Sequence, residues 1–198
     1  IPHHGVLMIP AFFGAVIGLE RAVAIGRLWA YAAPLFSGLG GVLLISSAEP
    51  DLPLLMLTLG SLIFVAASVT VLIIQNALHN WILFIGSLGL VAGNLLLVLG
   101  LELKLSVLWW IVFLVLTIAG ERLELSRLAI RRDKKRQMLA VLCLATFIGA
   151  MLSVFKFSSG ELMVSLGVLT IALWLISYDI ARRTLHQKGL PRFTAICM

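Results

Sequence analysis

Charge is scarce in this chain. Only 12% of its 198 residues are Asp, Glu, Lys or Arg, and 61% are hydrophobic, whereas an average soluble domain is about a quarter charged. That scarcity, with a mean hydropathy of +1.11, excludes a soluble globular domain and a disordered chain. Cysteine is nearly absent. The two present are Cys143, inside an apolar run, and Cys197, next to the last residue. They sit at no metal-ligand spacing and cannot make a disulfide scaffold, so both read as thiols without a chemical role. No phosphate-binding Gly-rich loop, no His-Glu-x-x-His and no Gly-x-Ser-x-Gly occurs. No charged-then-apolar leader with a small-residue cleavage pattern is visible either.

What is present is a series of long apolar runs. A spanning helix needs about 20 mostly apolar residues, and seven runs qualify: Gly5–Arg27, Ala30–Ser47, Pro53–Gln75, Trp81–Gly100, Ser106–Ile130, Met138–Phe157 and Glu161–Ile180. The bilayer core holds no water, so each run must pair its own backbone as a helix. A barrel would alternate apolar and polar residues, and these runs do not. The expected fold is all-α, a seven-helix integral membrane bundle in one domain over residues 1–198. The chain starts at Ile1, and Phe193 to Met198 read as the opening of another apolar run, so the domain is expected to be part of a longer chain.

The formal charge of +6 would suggest nucleic-acid binding in a soluble protein. Here the bases lie in short connections, which the positive-inside rule explains. No nucleic-acid partner is expected. One alternation places 13 of the 15 basic residues on one side, from Arg21 and Arg27 to Arg182, Arg183, Lys188 and Arg192. The other side keeps Lys104 and Lys156 with Glu49, Asp51, Glu102 and Glu161. The N-terminus is therefore expected outside and the C-terminus in the cytoplasm. Trp81, Trp109 and Trp110 fall near helix ends, as interfacial belts require. Gly14 and Gly18, Gly38 and Gly41, and Gly86, Gly89 and Gly93 recur on helix faces. Such spacings let helix backbones approach closely.

Charges inside a span are costly and usually face a partner. Glu20-Arg21 in the first run and Glu121-Arg122 in the fifth each lie about 22 Å along their helices, at 1.5 Å per residue. The two segments share a Gly, Glu, Arg pattern, a hint of internal duplication. Adjacent helical residues diverge by about 100°, which disfavours pairing within either dipeptide. Reciprocal pairs, Glu20 with Arg122 and Glu121 with Arg21, are the natural solution, and Glu124 can reach Arg127 on its own helix. A quinone, lipid headgroup or proton site is the functional alternative. Asn94 lies mid-span in the fourth run, where an interhelical hydrogen bond is the expected role. His79 and His186 fall in inner connections, and His3 and His4 at the outer mouth, so no metal site can combine the two groups.

His4-Gly5-Val6-Leu7-Met8 resembles the His-Gly-x-x-Met pattern in the second helix of haem-copper oxidase subunit I. The wider stretches His4 to Arg27 and Ala119 to Arg127 are similar to those of bacterial membrane proteins related to the NnrS family. That family consists of polytopic haem- and copper-binding proteins linked to nitric oxide stress. The resemblance implies a haem with His4 as its iron ligand and Met8 beside it, redox chemistry, and a bacterial or archaeal inner membrane. This chain departs from the pattern by lacking a second histidine at that depth and the oxidases' copper ligands. A further chain or further helices would have to supply them. Three functions follow: a haem-linked redox protein, a non-catalytic subunit of a larger energy-transducing membrane complex, or a small-solute transporter. Besides the bilayer, the expected partners are other membrane subunits. The transporter ranks last, because such proteins place polar groups near the midplane and only Asn94 with scattered Ser and Thr is available.

Overall fold

The computed structural model describes residues 4–46, 49–125 and 133–178. Among them, seven helices are long and apolar enough to cross a membrane. They are α1 (His4–Ile25), α2 (Leu28–Ser46), α3 (Asp51–Ile74), α4 (Leu78–Val98), α5 (Leu103–Leu125), α6 (Asp133–Phe155) and α7 (Phe157–Tyr178). The chain is an all-α bundle of multi-pass membrane character.

The helix starts differ from the apolar boundaries for local reasons. α4 begins three residues before Trp81 because its first turn is tied to the preceding loop. Asn80 Nδ2 donates to the Gln75 carbonyl at 2.8 Å and Trp81 Nε1 to Asn76 Oδ1 at 2.9 Å. α6 absorbs the charged run Asp133 to Gln137 as its opening turns, since Lys, Arg and Gln are good helix formers wherever water is near. α1 ends at Gly26, whose φ of 66° lies in the left-handed region. That glycine turns its N–H back to the Ala22 carbonyl at 2.9 Å, closing the helix end.

Within α1, Leu7–Phe13 winds as a π-helix around Pro10. Proline has no N–H and its ring crowds the carbonyl one turn back. Widening the turn relieves that crowding without breaking the span.

Two cores share the α4–α5 pair. Val6, Ala11, Ala33, Leu57, Phe64, Leu90, Trp110 and Phe113 join α1 to α5 on one side. Trp109, Val112, Leu116, Leu139, Cys143, Val164 and Ile171 join α5 to α6 and α7 on the other. The adjacent Trp109 and Trp110 thus serve opposite cores, as their roughly 100° separation dictates. Ring edges seal both seams. Phe64 meets Phe113 at 6.1 Å, and Trp109 meets Phe147 at 5.4 Å. Lipid is as apolar as leucine, so such helices associate through close packing rather than hydrophobic exclusion. The small residues supply it. A Cβ on Gly93 would lie 2.5 Å from the Trp110 ring, and one on Gly89 would lie 3.2 Å from the Trp109 carbonyl.

Candidate functional site

Asn94 sits about one turn before the C-terminal end of α4 and is 4% exposed. Its Nδ2 donates to the Leu57 carbonyl of α3 at 3.1 Å, and its Oδ1 accepts from Trp110 Nε1 of α5 at 3.0 Å. One amide therefore ties three helices, and its partners are a backbone oxygen and a wholly buried indole. The hydroxyls along the same core turn inward on their own helices. Thr58 donates to the Leu54 carbonyl, Ser61 to Thr58, Ser68 to Phe64, Ser87 to Phe84 and Thr117 to Phe113. Donors used in this way cannot also hydrogen-bond a passing solute.

The ionisable residues gather at the other end of α4 and α5. His79 belongs to the first turn of α4 rather than to a connection, and its side chain is 0% exposed. Its Nε2 lies 3.8 Å from Glu124 Oε1, and Glu124 is 45% exposed. The two helices meet there because α5 carries a glycine: a Cβ on Gly120 would stand 3.3 Å from the His79 carbonyl. Sequence reasoning missed this contact. The available signal was that His79 and Glu124 occupy the same end of consecutive antiparallel spans.

The charges expected to join α1 and α5 do gather around one carboxylate. Glu121 lies within electrostatic reach of Glu20, Arg21, Arg122 and Glu124. Glu20 is exposed while its neighbour Arg21 is buried, so α1 turns the two charges to different surroundings. Arg127, the expected partner of Glu124, lies outside the described residues; the carboxylate stands instead near His79.

His4 opens α1 and is exposed, and Met8, one turn on, is 42% exposed. Both face out of the bundle on the side away from the His79 cluster. A haem iron takes an axial ligand such as His; here His4 and Met8 share one outward face of one helix. Among the described residues, no group of three or more His, Cys, Asp or Glu side chains is placed to hold a metal ion. Cys143 is buried in the α5–α6 core as a free thiol.

A family model described as "Domain of unknown function (DUF8744)" matches residues 1–198. No curated protein and no solved structure matches the chain.

Proposed function

The chain belongs to that family, and we propose that it is a non-catalytic, membrane-embedded component of a larger membrane assembly, oriented with its N-terminus outside and its C-terminus in the cytoplasm. One observation carries the reading. Asn94, the buried polar side chain within α4 best suited to hold a solute or cofactor, spends its amide on Leu57 and Trp110. The polarity of this amide is therefore committed to packing, which supports a scaffold over a transporter. The His79–Glu124 contact and the charges around Glu121 then fasten the cytoplasmic ends of α1, α4 and α5. Gentle extraction tests the reading. The chain should leave the membrane with a stoichiometric partner chain, and isolation as a lone, fully stable chain would count against it.

A second reading has its own support. The π-helical turn begins three residues after His4 and contains Met8, and π-turns occur frequently at functional sites. In that reading a second chain completes the wall opposite His4 and the resemblance to haem-binding membrane proteins becomes functional. The two readings part on the visible spectrum and on His4→Ala.

A further inference from the structure

α6 and α7 pack on each other through a small-residue seam. A Cβ on Gly149 would press on Met163, and one on Gly167 on Thr146. Toward the end where α6 begins and α7 finishes, the pair parts into an open groove of about 340 Å³. It is lined by Met138 and Leu142 of α6 and by Thr170, Leu173, Trp174 and Ser177 of α7. Its two hydroxyls are turned away. Thr170 Oγ1 donates to the Leu166 carbonyl at 2.9 Å and Ser177 Oγ to the Leu173 carbonyl at 2.7 Å. Trp174 is 4% exposed and its Nε1 is buried, so the surface that the groove presents is apolar and suits a hydrocarbon chain rather than a sugar or an ion.

Basic residues lie one turn before it along α6. Lys134 and Lys135 precede Met138 by four and three residues in the same helix, and residues at those spacings share a face. The stripe Lys135, Met138, Leu142 thus runs from cation into groove, and Lys134 is exposed. This is also the end that the charge distribution places in the cytoplasm. An apolar groove between helices, capped by lysines at the level of the headgroups, is complementary to one amphiphile: an acyl chain carrying an anionic head.

We propose that the α6–α7 groove is a binding site for an anionic phospholipid of the cytoplasmic leaflet, its acyl chain against Leu142, Leu173 and Trp174 and its phosphate beneath Lys134 and Lys135. The site is independent of the scaffold reading and of His4.

Trp174 reports occupancy directly. The full chain is reconstituted in phosphatidylcholine vesicles containing a minor fraction of dibrominated phosphatidylglycerol or dibrominated phosphatidylcholine. Bromine quenches indole at short range, so a chain in the groove reaches the nearly buried Trp174 ring, and the Trp174 share is the difference between wild type and Trp174→Phe. Brominated phosphatidylglycerol should reach half-quenching of that share at a mole fraction at least about fivefold lower than brominated phosphatidylcholine, since each surface lysine is worth about that factor. The double change Lys134→Gln and Lys135→Gln should abolish the preference while leaving quenching of the other tryptophans unchanged. Equal quenching by the two lipids, or a preference that survives loss of both lysines, would overturn the proposal. So would a Trp174 that neither lipid reaches, because another protein surface would then cover the groove. If Trp174→Phe does not reconstitute, the lysine variant carries the test alone, read as loss of lipid preference in the total fluorescence.

Discussion

The indole N–H of Trp110 donates to the amide oxygen of Asn94 at 3.0 Å, across a seam where Gly93 lets the ring lie against α4. Two neighbouring residues of α4 thus do one job: glycine makes room for the indole and asparagine satisfies its only donor. Replacing Asn94 by Leu removes both of its bonds and leaves a wholly buried N–H. The expected cost is about 1–3 kcal/mol, read as a lower midpoint of thermal unfolding in detergent. A double-mutant cycle with Trp110→Phe should return a coupling of about 0.6–1.7 kcal/mol, the range found for interhelical hydrogen bonds in membranes. Independent, additive losses would show that the bond contributes nothing.

Two glycines on helix faces should respond in opposite directions. Gly93→Ala would place a methyl 2.5 Å from the Trp110 ring, whereas a Cβ on Gly38 meets nothing within 4 Å. Gly93→Ala should destabilise by about 1–3 kcal/mol through overpacking. Gly38→Ala should be neutral or stabilising by up to about 1 kcal/mol, the helix-propensity difference. The same unfolding midpoints decide both.

The His79–Glu124 contact should be lopsided. Glu124→Gln alters a carboxylate that water already screens, and its cost should stay under about 1 kcal/mol. His79→Ala empties a fully buried volume and should cost on the order of 2 kcal/mol or more. Comparable losses for the two variants would mean that the ion pair, not the packing, holds this end together.

Orientation is open to thiol labelling. Cys143 is buried, so a Cys197→Ser background should be silent to a membrane-impermeant maleimide. In intact cells Glu102→Cys should label at once, and Lys134→Cys only after the membrane is opened. The reverse pattern would invert the topology proposed from the positive-inside count.

The seven spans were legible because run length and apolarity alone dictate a membrane helix. The ends were less so. Lys134 to Arg136 look like a loop by charge, yet their helix propensity lets α6 begin with them. Asn94 stood out as a polar residue in an apolar run. Its partners did not, because a backbone carbonyl 37 residues away leaves no mark in composition or periodicity. His79 with Glu124 was hidden for a related reason: depth matching could align the ends of α4 and α5, but not the close helix approach at Gly120 or the complete burial of the imidazole. Conversely, the Glu20 and Glu121 segments looked alike in sequence. The rotation of α1, which exposes Glu20 and buries Arg21, is set by tertiary packing and was not readable from that likeness.

The most direct test is the visible absorption spectrum of the gently extracted protein, oxidised and dithionite-reduced, for wild type and His4→Ala. The scaffold account predicts no Soret band belonging to this chain, and spectra that are the same with and without His4. A Soret band that shifts on reduction and is lost in His4→Ala would contradict it and make the outer mouth of α1 a haem site.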